Sequence, residues 1–470
     1  MNRFLAIDLG AESGRAILGT LAEGRLALEE LHRFPNTPVR LPTGLYWDTL
    51  HLFQEICHTL SLCGARQIHP DGIGIDTWGV DFGLLGPDGA LIDNPRHYRD
   101  PRNNGMLGKT FAVVPREDVF AQTGIQFMQL NTLYQLYAMK LSQSAALEIA
   151  DKLLFMPDLL NYWLTGQMRA ELTIASTSQF YNPVEKRWAT PLLERLGLPD
   201  RILPDVVPPG TILGPLLPGI AERTGLAKTT PVYATACHDT ASAVAAVPGS
   251  VDGWCYISSG TWSLMGVELD APIITSRSLE FNFTNEVGAG GKIRFLKNIP
   301  GLWLLQECRR EWAARGRQYS YEELSKLAAN SGPAAFTIDP GAFHEPGDMP
   351  QQIARYCNSK GQPPPGEPGP MCRLILESLA TEYTKVLDCL ESLLGRRLET
   401  IHIVGGGSRN ELLNQLVANA TRRTVIAGPT EATAAGNILV QAIGAGLISG
   451  LAEGREIVRR SFPLSFFAPE

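Results

Sequence analysis

The chain has 470 residues, 44% hydrophobic and 19% charged, with a formal net charge of −7. That length allows two or three domains, each with a proper core, in a composition ordinary for a soluble protein. The negative balance argues against nucleic acid or an anionic membrane surface as the main partner, so a nucleotide substrate would need local positive charge, a metal ion or backbone N–H donors.

Taken in chain order, residues 4–9, 15–21 and 25–34 read as three strands, 48–62 as a helix, and Gly72–Thr77 and 79–85 as two more strands. The turns are supplied by Ala22-Glu-Gly24 and Pro87-Asp-Gly89. A meander followed by a helix and a further strand predicts a mixed sheet covered by helices. Residues 119–188 are mainly helical in pattern, and the proline-rich stretch 197–218 reads as surface connection. Strand 231–237 leads into His238-Asp-Thr-Ala-Ser-Ala-Val, where Thr240 or Asp239 is placed to cap a helix.

Two glycine-hydroxyl turns stand out: Asp8-Leu-Gly-Ala-Glu-Ser-Gly-Arg15 and, in the second half, Ser258-Ser-Gly-Thr-Trp-Ser263. Each lies between two apolar runs, a hairpin signal. Such turns let backbone N–H and hydroxyl groups close around an anion. Their repetition predicts a duplicated domain that holds a phosphate chain. The division is expected at 244/245, beside the turn-rich stretch 246–253, giving a sugar- and phosphate-binding domain 1–244 and a nucleotide-binding domain 245–470.

Further on, residues 374–394 carry apolar side chains at helical spacing, the mark of a long buried face. A strand–glycine turn–helix–strand unit follows, through Thr400–Val404, Gly405-Gly-Gly-Ser-Arg-Asn410, 411–420 and Thr424–Ala427. With Asn410 in the last position and no G-x-x-x-x-G-K-[ST] in the chain, Rossmann and P-loop readings lose support. Residues 438–451 are interrupted by Gln441 and three glycines and are too short to span a bilayer; they read as a buried helix. No signal peptide is visible, and the expected location is cytoplasmic. The eight cysteines form no C-x-x-C pair and read mostly as small apolar core residues.

Asp239 is the strongest catalytic candidate. Phosphoryl transfer to an alcohol needs a carboxylate to accept the hydroxyl proton, and a helix N-terminus is expected to keep that carboxylate ionised. His238 suits a hydrogen bond to a substrate hydroxyl better than a base, with a buried structural role as the other reading. Asp8 at a strand end would act on phosphates through Mg²⁺ and its waters; otherwise it bonds to its own turn. Ser13, Gly14 and Arg15 are phosphate candidates in the first turn, Gly260 and Thr261 in the second. Trp78, Gly79, Asp76 and Asp81, in Asp76-Thr-Trp-Gly-Val-Asp81, combine an apolar face, open backbone and carboxylates, which suits a sugar; a β-bulge packed by Trp is the plainer reading. Asn298 and Gln306 either face ligands or cap a helix.

These motifs resemble the FGGY-type carbohydrate kinases along essentially the whole chain. The resemblance rests on the first turn, Gly74-Ile-Asp-Thr-Trp-Gly-Val-Asp-Phe82, the His238 segment, the second turn, Lys297-Asn-Ile299 with Gly301-Leu-Trp-Leu-Leu-Gln306, and the glycines near 405. It implies two ribonuclease-H-like α/β domains of the actin and hexokinase superfamily, with a cleft between them. It also implies ATP, Mg²⁺ and γ-phosphoryl transfer to the 1-hydroxyl of L-rhamnulose, with L-fuculose or L-xylulose as alternatives and an actin- or chaperone-type ATPase as a distant one. Asp239 would be the proton acceptor; Gly79, His238, Asp239, Thr240 and Asn298 would contact sugar. Ala11, Glu12, Ser13, Gly14, Arg15, Thr261, Gln306 and Gly406 would hold ATP. Glu12 stands where wider relatives carry a hydroxyl residue, so its carboxylate is expected to point away from phosphate. The same resemblance suggests a Cys357–Cys372 bond; the expected partners are sugar and ATP, with no nucleic acid or membrane, and the expected assembly is a monomer or small homo-oligomer.

Overall fold

The computed structural model describes residues 1–249, 253–343 and 346–470; Ser250, Val251 and Asp252 of the expected domain junction lie outside them. The first sheet contains β1 (Asn2–Leu9), β2 (Ser13–Ala22), β3 (Arg25–Pro35), β4 (Gly72–Thr77), β5 (Thr211–Pro215) and β6 (Pro231–Ala234), in the order β5-β6-β4-β1-β2-β3. β1 pairs antiparallel with β2 and parallel with β4, β6 runs parallel to β4, and β5 closes the edge antiparallel to β6. Phe4, Leu5, Ala6, Ile7 and Leu9 are all fully buried. Their near-continuous apolar run marks a strand covered on both faces. Helices α1 (Thr49–Ala65), α2 (Met156–Thr165) and α3 (Asp239–Ala245) accompany this sheet.

The second sheet contains β7 (Trp254–Ser259), β8 (Trp262–Leu269), β9 (Thr284–Val287), β10 (Ile293–Pro300), β11 (Thr400–Val404), β12 (Thr424–Ala427) and β13 (Ser465–Phe467), in the order β9-β10-β8-β7-β11-β12-β13. An antiparallel hairpin, β7-β8, is again followed by a parallel strand, a second parallel strand and an antiparallel edge. The core pattern of the first sheet is thereby repeated, as the paired turns predict. Its helices are α4 (Trp303–Ala314), α5 (Pro368–Leu394) and α6 (Glu411–Thr421), while α7 (Ala432–Gly444) packs on the first sheet. On α5 the predicted face is buried at Ile375, Leu379, Tyr383, Val386, Leu387 and Leu390.

Two compact units result: Met1–Pro248 with Glu268–Phe295 and Ala432–Ser461, and Gly249–Val267 with Leu296–Glu431 and Phe462–Glu470. Helix α7 lies in the chain between β12 and β13 of the second sheet but belongs to the first unit. Its amides explain why. Asn437 Nδ2 donates to Gly74 O (3.2 Å) and Gln441 Nε2 to Leu5 O (3.1 Å). A Cβ on Gly74 would sit 2.6 Å from Asn437 Oδ1, so only glycine admits this approach.

Several expectations change in detail. The 197–218 stretch is more than connection, since it supplies β5, whose edge position tolerates its terminal proline. The strand expected from Gly79 begins only at Phe82. The helix expected over 438–451 stops at Gly444, before the turn at Gly446. Cys357 and Cys372 are both free, buried thiols; burial pushes Cys372 up to about 12. Among the described residues, no helix is long and apolar enough to cross a membrane.

Candidate active site

In the first unit the carboxylates expected to work on phosphate and sugar gather at the carboxyl ends of β1, β4 and β6. Asp8 and Asp76 are register partners on β1 and β4, and Thr77 bridges in parallel to His238. Asp8 Oδ2 accepts from Arg15 Nη2 (2.8 Å) and Nε (3.1 Å). Arg15, expected on phosphate, therefore spends its guanidinium on Asp8 across the hairpin. Asp76 Oδ2 accepts from Asn437 Nδ2 at 2.5 Å, while Oδ1 is buried without a partner among the described residues. Burial, and then the adjacent Asp8 carboxylate, push Asp76 well above the ordinary range.

His238 is the residue that caps α3, and Asp239 is the first residue inside it, one position later than a capping role requires. Asp239 keeps 29% of its side chain exposed and accepts from Thr240 Oγ1 at 3.1 Å. Its carboxyl is pushed up by burial and by Asp8, with His238 opposing. The helix start alone therefore does not hold it in the ordinary carboxylate range. His238 Nε2 lies 3.5 Å from Asp239 Oδ1. His238 is buried, and a Cβ on Gly79 would stand 3.4 Å from that same Nε2 and from Thr177 Oγ1, so at this position only glycine keeps a side chain off the imidazole edge.

The loop that carries His238 is held by a residue the sequence did not single out. Glu171, fully buried, accepts from Thr173 N (2.8 Å), Thr173 Oγ1 (2.5 Å), Ile174 N (3.1 Å) and Cys237 N (3.1 Å). Thr173 Oγ1 in turn accepts from His238 N at 3.1 Å. Its carboxyl is raised to about 7 by burial, against these hydrogen bonds.

Asp81 does not offer an oxygen to a sugar. Its Oδ2 accepts from Trp47 Nε1 (2.6 Å), Trp78 Nε1 (3.0 Å) and Tyr98 N (3.1 Å), and Oδ1 accepts from Gln135 Nε2 (2.8 Å). Trp78 is buried with its ring 4.0 Å from that of Trp47, which stacks on His97 at 4.2 Å. The pair is a scaffold beneath the Gly79 turn rather than its open face. Val80 adopts φ 71°, costly for a β-branched residue. It is held there by Thr177 Oγ1 on its N–H (3.3 Å) and by Thr132 Oγ1 on its carbonyl (2.6 Å).

Both hairpin turns direct their carbonyls inward. In the first, Gly10 O accepts from Asn36 Nδ2 (2.8 Å), Glu12 O from Asn36 N (3.0 Å) and Ser13 O from Gly10 N (3.0 Å). Ala11, Glu12, Ser13 and Arg15 are half-buried and Gly14 is buried under Phe34. In the second unit, Gly260 O accepts from Leu302 N (3.0 Å), and Thr261 O from Gly301 N and Trp303 N (3.1 Å each). Turns whose acceptors are tied back present less negative charge to an anion. Gly407 packs on Ser259, where a Cβ would fall 2.0 Å from Oγ, whereas a Cβ on Gly406 would meet nothing within 4 Å. Gln306 Oε1 is buried with no hydrogen-bond partner among the described residues, and Asn298 is half-buried on β10. Among the described residues, no group of three His, Cys, Asp or Glu could enclose a metal. Mg²⁺ held mainly by phosphate oxygens and water needs only one or two carboxylates, and Asp8, whose Oδ2 is paired with Arg15, and Asp76 are the carboxylates that would serve.

Residues 3–246 match the N-terminal domain of the FGGY family of carbohydrate kinases, and residues 255–445 match its C-terminal domain. The chain belongs to that family. It is 47% identical over 469 residues to a rhamnulokinase of Bacteroides thetaiotaomicron, covering 99% of this chain and 96% of that one. A rhamnulokinase of Bacillus subtilis is 39% identical, over 99% of this chain and 95% of the other. Among solved structures, a ligand-bound xylulose kinase from Lactobacillus acidophilus superposes with a TM-score of 0.79 at 14% identity, covering 100% and 94% of the two chains. Plasmodium falciparum glycerol kinase with ADP gives 0.77 at 14%, over 100% and 94%. These likenesses establish the actin- and hexokinase-like α/β fold of FGGY kinases, and membership establishes ATP-dependent sugar phosphorylation as the activity class.

Proposed function

We propose that this FGGY kinase is a rhamnulokinase of L-rhamnose catabolism, transferring the γ-phosphoryl group of ATP to the 1-hydroxyl of L-rhamnulose. The observation that carries the mechanism is Asp239. It is partly exposed at the start of α3, 3.5 Å from His238 Nε2, beside the edge that Gly79 keeps free of a side chain. In this reading Asp239 accepts the hydroxyl proton as the oxygen attacks phosphorus. Its raised proton affinity suits an acceptor better than that of an ordinary carboxylate. Gly79, His238, Thr240 and Asn298 bind the sugar, while Trp78 and Asp81 shape the turn that presents Gly79.

The first domain, 1–244 together with the Glu268–Phe295 and Ala432–Ser461 segments that join its compact unit, supplies most of the sugar side and one phosphate turn; the remainder of 245–470 supplies Asn298 and the nucleotide side. Ala11 to Arg15 and Thr261 hold phosphates through N–H and hydroxyl groups, with Gln306 and the open backbone of Gly406 taking up the remainder of the nucleotide. Mg²⁺, reached by Asp8 through water, would neutralise charge on the phosphates when bound. The near-full-length similarity to rhamnulokinases supports the sugar assignment. A cytoplasmic location follows from the substrates. An ADP-release assay with L-rhamnulose, L-fuculose and L-xylulose tests the proposal: kcat/KM is expected to be highest for L-rhamnulose, and a higher value for either other ketose would overturn the assignment.

A further inference from the structure

His238 faces a buried ion pair that the motif reading did not foresee. Arg294, on β10, is fully buried and Glu286, on β9, nearly so. The Arg294 Nη2 group lies 3.0 Å from His238 Nδ1, 3.1 Å from Glu286 Oε2 and 3.2 Å from Val287 O, and Nε donates to Val287 O at 3.2 Å. Gly288 makes room for this side chain, since a Cβ there would sit 3.1 Å from Arg294 Cγ. The guanidinium is thereby clamped against the tip of the β9-β10 hairpin with one N–H aimed at the imidazole.

A guanidinium has only donors and keeps its charge. The ring nitrogen it faces can only accept from it, at 3.0 Å, whereas a donor there would have to turn to Glu286 Oε2 at 3.4 Å; the closer contact assigns the proton of the imidazole to the other nitrogen. That other nitrogen is Nε2, beside Asp239 and the edge that Gly79 keeps free of a side chain. We propose that Arg294, oriented by Glu286, is a positioning residue that fixes His238 in the Nε2–H tautomer, so that it donates a hydrogen bond to an oxygen of the bound ketose. The reaction class follows from family membership; the placing of the ketose at His238 rests on the function proposed above. The consequence is one of selectivity: a ketose needs an acceptor oxygen at that position, and His238 is unable to serve as a second base there.

Two measurements decide it. In the ligand-free enzyme labelled with ¹⁵N-histidine, the His238 resonances, assigned by their loss in His238→Gln, should show a protonated Nε2 and an unprotonated Nδ1. This reads the tautomer without any substrate, so it stands even if no ketose is turned over. The second is a cycle with the charge-neutral pair Arg294→Met with Glu286→Gln. In the His238 background the pair should raise KM for the ketose about tenfold, the loss of one ordinary hydrogen bond, and leave KM for ATP unchanged. In the His238→Gln background, where the amide N–H needs no tautomer, the same pair should add nothing further. A protonated Nδ1 in the free enzyme, or an equal penalty in both backgrounds, would overturn the proposal.

Discussion

Trp47 Nε1 donates to Asp81 Oδ2 at 2.6 Å. With Trp78, Tyr98 and Gln135 it makes Asp81 the buried acceptor on which the Gly79 turn is built. Burial raises this carboxyl from 3.8 to about 6 despite the four donors. The folded chain therefore holds the proton more tightly than the unfolded one. The stability this contributes is fully present below about pH 4 and is lost as pH rises through about 6, up to about 3 kcal/mol in all. In Asp81→Asn that component is absent. Unfolding free energies from urea melts at pH 4.5 and 7.5 should differ by about 2 kcal/mol less in this variant than in the wild type.

Neighbouring glycines in the second unit separate ligand contact from packing. A methyl group on Gly406 meets nothing within 4 Å, whereas on Gly407 it would lie 2.0 Å from Ser259 Oγ. Gly406→Ala should keep the wild-type melting temperature and raise KM for ATP severalfold. Gly407→Ala should lose about 1–3 kcal/mol of stability through overpacking. Thermal melts and ATP titrations of the two variants check this contrast.

Arg15 and Asp8 form a pair across the first hairpin at 2.8 Å. If Asp8 reaches the metal through water, Asp8→Asn should lower kcat by at least about tenfold and shift the Mg²⁺ dependence to higher concentration. A variant with lower kcat but an unmoved Mg²⁺ midpoint would assign Asp8 to holding Arg15 alone.

Free thiols at all eight cysteine positions predict that reductant leaves the unfolding midpoint unchanged. Titration of the denatured, unreduced chain with a thiol reagent should count eight.

Much of this architecture was legible because it is local. The apolar run of β1, the two glycine-hydroxyl turns and the helical spacing on α5 are each written in a short window, and each appears where the window puts it. The candidate site was legible only in its innermost residues. Asp239, His238 and Gly79 sit in recognisable turns, but Glu171, Arg294, Glu286 and Asn437 come from elements distant in the chain. Nothing in their own windows distinguishes a buried polar or charged side chain from a surface one. Asp81 shows the opposite failing: a carboxylate beside a Trp and a Gly reads as a sugar ligand until Trp47 and Gln135 are seen to occupy its oxygens. The Gly197–Pro218 region hid an edge strand because proline suppresses the local strand signal while an edge position forgives it.

The most direct test of the account is kcat for L-rhamnulose phosphorylation by Asp239→Asn. The side chain is isosteric and 29% exposed, so folding and ATP affinity should match the wild type. With no carboxylate to take the hydroxyl proton, kcat should fall by about 10²- to 10⁴-fold. Turnover within a few-fold of the wild type would contradict the assignment of Asp239 as the base.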